Sequence, residues 1–166
     1  MNDHIERTLV LLKPDAVKRG VMGEIIARFE KVGMKIVACR LAFVDAEKAK
    51  EHYTEDIAIR RGEHVRQYLV DFVTSGPILA MVIEGVDVIE NVRMMVGATE
   101  PKSAAPGTIR GDYAHVSYAH ADAEKKVVAN LIHASADKAD AEREILVWFR
   151  ADEIFEYETI YQAHTM

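Results

Sequence analysis

Thr8-Leu9-Val10-Leu11-Leu12-Lys13-Pro14-Asp15 is an apolar run of strand length that stops abruptly at a charged turn. Proline cannot continue a strand and favours a turn, so Lys13 is left projecting from the end of the strand. Downstream, Ile25, Ile26 and Phe29 recur at helical spacing while Glu24, Arg28 and Glu30 fall elsewhere. A helix is expected from about Val21 to Val32, stopped by Gly33. Lys35 to Val44 reads as a second strand with β-branched Ile36 and Val37. Asp45 can cap a helix running to about Tyr53.

Thr54 to Arg66 is dense in charge, and a helix is expected to begin within it and reach about Val73. Thr74-Ser75-Gly76-Pro77 is turn chemistry. Ile78 to Glu84 reads as a third strand, Gly85 as the start of a turn, and Val88 to Val96 as a helix. Gly97 to Gly111 is the least regular stretch; a loop of this length is usually functional or an interface element. Beyond it a short strand is expected over Tyr113 to Tyr118 and a charged helix over Ala121 to Ala129. Asn130-Leu131-Ile132-His133 follows, then a helix from about Lys138 to Trp148 capped by Ser135 or Asp137. Strands alternating with helices suggest an α/β layer packing, with parallel and antiparallel sheets both open.

At 166 residues the chain is expected to form one domain, 1–166, with 150–166 as a C-terminal tail. It carries 21 basic and 27 acidic side chains, a net charge of −6, which argues against nucleic-acid binding through bulk charge but leaves room for a local basic pocket. The single cysteine, Cys39, rules out an internal disulfide and a cysteine-based zinc site. The longest apolar run, Pro77 to Ile83, is far short of the roughly 20 residues that span a bilayer. Met1 to Arg7 is polar and charged, so no secretory leader is expected and a cytoplasmic location is.

The common phosphate loops are absent: there is no G-x-x-x-x-G-K-[ST] and no G-x-G-x-x-G. Three features carry chemistry, each with a plainer reading beside it. Lys13 is either a ligand-facing cation or a lysine snorkelling from a strand end. Arg93, Thr99 and Arg110 suit a phosphate, because arginine offers a fork of donors, or the arginines belong to surface ion pairs. His133 is either a nucleophile placed before a helix start, where negative charge is favoured, or a core histidine. His115 and His120 lack further metal ligands; Met81, Met94 and Met95 read as core fillers, and Trp148 and Phe149 as residues packed on the sheet.

Taken together, Thr8 to Val17 with Arg19-Gly20, Thr74 to Pro77, Gly97 to Pro101, Pro106 to Asp112 and Asn130 to Ser135 resemble the nucleoside diphosphate kinase family, in the family's order and over about residues 5 to 150. The resemblance implies a ferredoxin-like α/β sandwich with a four-stranded antiparallel sheet. It implies transfer of the γ-phosphate of a nucleoside triphosphate such as ATP to a nucleoside diphosphate, by a ping-pong route through a phosphohistidine at His133. Lys13, Tyr53, Arg93, Thr99, Arg110 and Asn130 match the family's nucleotide-contacting positions, and Glu144 matches the carboxylate that orients the histidine. Magnesium (Mg2+) would be held mainly by the phosphates rather than by a protein cage. A homo-oligomer, tetramer or hexamer, is implied, with no membrane and no nucleic acid as partner.

Two segments depart from the commonest family pattern. Asp56 to Gly62 replaces the element whose aromatic stacks on the base, which leaves Ile59, His64 or Val65 to cover it. Gly111 to Ala129 is longer and resembles a longer-loop bacterial branch; Tyr113, His115 and Tyr118 lie in it. The tail residues Tyr157, Tyr161 and His164 have no assigned role. A nucleotide-binding regulatory module without turnover is the competing reading, and a nucleic-acid-binding ferredoxin-like domain is a third.

Overall fold

The computed structural model describes residues 4–160 and 162–165; Tyr161 lies outside the described residues. Four strands, β1 (Ile5–Leu12), β2 (Lys35–Ala42), β3 (Ile78–Val86) and β4 (Ile132–Ala134), form one sheet in the order β2-β3-β1-β4. Every pairing is antiparallel. This is the ferredoxin-like arrangement of a four-stranded antiparallel sheet with helices packed on it.

Helices cover both faces of the sheet, which is why β1 is apolar without alternation. Val10 and Leu12 face one layer, with Ile25 and Phe29 of α2 (Met22–Lys31) and Val88, Val92 and Val96 of α6 (Val88–Val96). Leu9 and Leu11 face the other, with Ala49 of α3 (Ala46–His52), Val70 and Val73 of α5 (Glu63–Thr74), and Ile145 and Trp148 of α9 (Lys138–Trp148). Asp45 caps α3 through the Lys48 amide at 2.8 Å, as expected. Asp137, rather than Ser135, caps α9 through Asp140 N at 2.9 Å.

Several local expectations are corrected. Pro14 opens a single helical turn, α1 (Pro14–Lys18), because its missing N–H costs nothing at a first helical position. The charged segment after Thr54 holds two helices, α4 (Glu55–Arg61) and α5, broken at Gly62 with φ +96°. Gly85 remains inside β3, and the turn comes at Asp87. Tyr113 to Tyr118 is not a strand: Tyr113 closes α7 (Ile109–Tyr113), which Thr108 caps, and Tyr118 opens α8 (Tyr118–Ala123), which Ser117 caps. The expected helix over Ala121 to Ala129 ends early, and Lys125 lies just beyond it in the left-handed region at φ +51°. The fourth strand is Ile132–Ala134, too short to show a period in the sequence and defined by its pairing to Val10, Leu11 and Leu12. Met94 is 61% exposed rather than a core filler, whereas Met81 is fully buried.

The tail lies along β2, the outer strand. Phe155 N donates to Val37 O at 2.8 Å and Tyr157 Oη to Ile36 O at 2.8 Å. It ends in a short helix, α10 (Gln162–Thr165), which includes His164. No helix among the described residues is long and apolar enough to cross a membrane.

Candidate active site

The end of β1 and the start of β4 are bound into one unit. Lys13 N donates to Leu131 O at 2.8 Å, and Leu131 N donates back to Asp15 Oδ2 at 2.9 Å. Leu131 sits at φ +69°, a conformation costing about 1 kcal/mol or more for a residue with a branched side chain. The Lys13-Pro14-Asp15 turn holds it there. Asp15 was not singled out in the sequence, since its role depends on a partner 116 residues away.

Arg110 fastens the same segment from the other side. Its Nε donates to Asn130 O at 3.3 Å, Nη1 to Gly97 O at 3.0 Å and Nη2 to Ile132 O at 2.7 Å. Burial lowers its pKa to about 10, which leaves it charged at neutral pH. Arg110 therefore spends its donors on carbonyls and joins no ion pair among the described residues. Arg93, in the last turn of α6, is exposed and has no carboxylate partner among the described residues. Both arginines line one cleft of about 450 Å³, together with Lys13, Tyr53, Thr99 and Asn130.

Lys13 is buried, and its Nζ donates to Asn130 Oδ1 and lies 5.3 Å from the centre of the Phe72 ring. Burial brings its pKa down to about 8; Asp15 opposes the shift and Arg110 adds to it. Asn130 Nδ2 donates to Thr99 O at 2.7 Å, so the Thr99 backbone is held while its residue stays exposed at the cleft. Tyr53 is the buried C-cap of α3; burial, with Glu144 and Asp15 nearby, keeps its hydroxyl protonated.

His133 stands opposite Leu11 in the β1–β4 ladder, so it points to the same side as α3 and α9. Its Nε2 lies 2.9 Å from Glu144 Oε2. Glu144 also accepts from Ser135 Oγ at 2.7 Å, and Arg143 Nη2 approaches its other oxygen at 3.5 Å. Burial alone would raise the Glu144 pKa; the hydrogen bond and charge of His133 outweigh it and, with His52 and Ser135, bring it to about 2. An ionised carboxylate only accepts, so the proton between the two belongs to His133 Nε2. The lone pair then resides on Nδ1, which has no hydrogen-bond partner among the described residues. An imidazole whose Nδ1 is unpartnered, at a cleft lined by arginine and lysine, can act as a nucleophile toward an electrophilic phosphorus.

Ser135 and His52 complete this cluster, and neither was expected as a site residue. His52 is 3% exposed and falls, in the sequence, inside the helix expected from Asp45 to about Tyr53. His52, His133 and Glu144 have ligand-type atoms within 4.8 Å of one another. Trp148 Nε1 donates to His52 Nδ1 at 3.3 Å, however, which takes that lone pair and puts the His52 proton on Nε2. Both ring nitrogens are thereby unsuited to a metal ion. His115 and His120 are exposed and join no group of metal-ligating side chains among the described residues.

A second cavity of about 350 Å³ adjoins the cleft and shares Lys13, Thr99 and Asn130 with it. His64, Val65 and Tyr68 of α5 line it together with Val127 and Val128. Ile59 is 83% exposed and lines neither space.

The model for the family described as nucleoside diphosphate kinase matches residues 6–154. A nucleoside diphosphate kinase of Borreliella burgdorferi is 46% identical over 154 residues, covering 92% of each chain. One from Pyrococcus furiosus is 50% identical over 157 residues, covering 95% of this chain and 90% of its own. Among solved structures, a transition-state mimic of the nucleoside diphosphate kinase of Borrelia burgdorferi with bound vanadate and ADP superimposes with a TM-score of 0.95 at 44% identity, over 98% of this chain and 97% of that one. A halophilic relative from Halobacterium salinarum in complex with CDP gives a TM-score of 0.82 at 42% identity, over 96% and 97%.

Proposed function

The chain belongs to the nucleoside diphosphate kinase family, and we propose that His133 is the residue through which its phosphoryl transfer runs. The enzyme moves the γ-phosphate of a nucleoside triphosphate to a nucleoside diphosphate. In the first half-reaction His133 Nδ1 attacks the γ-phosphorus, the bond to the bridging oxygen breaks, and the nucleoside diphosphate leaves. In the second, a terminal oxygen of the acceptor diphosphate attacks the same phosphorus and the P–N bond breaks. The observation that carries this reading is the 2.9 Å bond to an ionised Glu144, which places the proton on Nε2 and the lone pair on Nδ1.

Arg93 and Lys13 supply positive charge to the phosphates, and Arg110 does so while holding the backbone on both sides of Leu131. Thr99 and Asn130 offer the polar contacts beside them, and Tyr53 walls the lysine and histidine. The adjoining cavity takes the base: Val65, Leu69, Val127 and Val128 offer it apolar surface, with Arg61, Asp122 and Lys126 also in the lining.

Magnesium fits as a partner of the phosphates. The carboxylates lining the cleft are engaged by protein groups: Asp56 by Arg60, Asp140 by Arg143, and Glu144 by His133. When bound, the ion would offset phosphate charge that the arginines do not reach. A module without turnover is not favoured, because binding alone requires no carboxylate behind His133.

A homo-oligomer, tetramer or hexamer, and a cytoplasmic location are part of this reading. Exposed Leu41 (56%) on β2 and Phe43 (77%) just beyond it support the first, and the unpaired thiol of Cys39 accords with the second. Solution mass measurement giving only monomer would overturn the oligomer.

Intact mass after brief mixing with magnesium and ATP tests the central reading. One added phosphate on the wild type, absent from His133→Ala and discharged by GDP with formation of GTP, is expected. An unphosphorylated wild type that still binds nucleotide would overturn it.

A further inference from the structure

Behind His133 lies a second imidazole, that of His52. The His52 ring meets His133 edge-on at 4.5 Å between centroids, Tyr53 at 4.7 Å and Trp148 at 5.8 Å. Its Nδ1 lies 3.9 Å from Glu144 Oε1. We propose that His52 is a positioning residue for the phosphoryl-accepting histidine: a neutral ring, its tautomer set by Trp148, that backs His133 and leaves the Glu144 carboxylate to it.

The reasoning starts from competition for one carboxylate. A protonated Nδ1 on His52 would point a donor at Glu144 Oε1, the oxygen beside the one that His133 uses, and so pull the carboxylate away from His133. His133 would then lose the acceptor that keeps its proton on Nε2. The Trp148 indole N–H prevents this by donating to Nδ1, which must then remain unprotonated. The groups facing His52 are His133 from β4, Glu144, Arg143 and Trp148 from α9, and its neighbour Tyr53. Burial first, then His133 and Arg143, favour the neutral ring, and Glu144 alone opposes them; the result is a pKa of about 3. The Nε2 atom is buried without a hydrogen-bond partner among the described residues. Such a group costs free energy that a phenyl ring would avoid, so an imidazole here answers to its Nδ1 side.

This inference rests on His133 being the phosphorylated residue, so the test begins with that control. Single-turnover labelling by γ-labelled ATP, quenched on the millisecond scale, is followed across pH in the wild type, His133→Ala, Trp148→Phe, and Trp148→Phe with His52→Phe. No label on His133 in the wild type would sink the proposed nucleophile, whatever the other variants do. With label present, Trp148→Phe frees Nδ1 to carry the proton of the neutral ring. Its labelling rate should fall about tenfold at pH 6 and at pH 8 alike, with the KM for ATP unchanged. In the double variant the rate should return toward wild type, because no imidazole remains to compete. A Trp148→Phe labelling rate that matches the wild type, or a loss that persists in the double variant, would overturn the proposal. Should Trp148→Phe not fold, nitrogen NMR of the wild type decides: the proposal requires His52 neutral at pH 6 with its proton on Nε2, and a proton on Nδ1 refutes it.

Discussion

Glu144 Oε2 lies 2.9 Å from His133 Nε2 and accepts from Ser135 Oγ at 2.7 Å, so one buried carboxylate oxygen orients the His133 ring and is itself held from the far side. Replacing Glu144 by Gln keeps the size but lets an amide donate where an anion accepted. The His133 tautomer then loses its determinant, and the phosphorylation rate should fall by on the order of 10² or more, with nucleotide KM little changed. Single-turnover labelling measures this; a rate within threefold of wild type would refute the orienting role.

Arg93 and Arg110 should separate in their effects. Arg93 is exposed and bonded to no carboxylate among the described residues, so Arg93→Ala should cost about 2–4 kcal/mol of transition-state stabilisation and leave the melting temperature within error. Arg110→Ala leaves the carbonyls of Gly97, Asn130 and Ile132 without their donor. It should lose activity and also about 3 kcal/mol or more of stability. Chemical denaturation beside kcat/KM distinguishes the two, and equal stability losses would contradict the assignment.

Lys13 should give nucleotide binding a basic limb. Burial holds its pKa near 8 in the free enzyme, and phosphate anions beside it would raise that value in the complex. A group whose pKa rises on binding contributes fully below its free value, and the contribution is lost as pH climbs through it. The KM for a nucleoside diphosphate is therefore expected to increase above about pH 8. A flat KM from pH 7 to 10, measured with a magnesium-saturated substrate, would contradict this.

Acid should unfold the protein through the cluster behind His133. His52 is held neutral with its pKa lowered from 6.5 to about 3, so the unfolded chain takes up a proton first and stability falls as pH drops through that interval. Glu144, lowered from 4.5 to about 2, adds stability that is present above 4.5 and fades toward 2. Urea midpoints between pH 7 and 3 should decline from about pH 6.5, and His52→Phe should flatten the upper part of that decline. An identical decline in the variant would show that His52 is not its source.

Much of this protein was settled by its sequence. The apolar stretch ending at Lys13-Pro14-Asp15, the period of Ile25 and Phe29, and the Asp45 cap are local properties, expressed within a few residues of chain. Lys13, Tyr53, Arg93, Thr99, Arg110, Asn130 and His133 were named as candidates because their motifs carry a family resemblance, and the structure gathers all of them around one cleft. What only tertiary structure decided are relationships between distant segments. β4 is three residues long and exists through its pairing with β1. Asp15 reaches Leu131, Arg110 turned out to clasp carbonyls rather than carboxylates, and His52 acquires its meaning from Trp148 and Glu144. Local spacing records which residues share a helix or a strand. It carries no record of which buried donor will meet which acceptor once two sheet faces close, and that pairing sets the tautomer of His133.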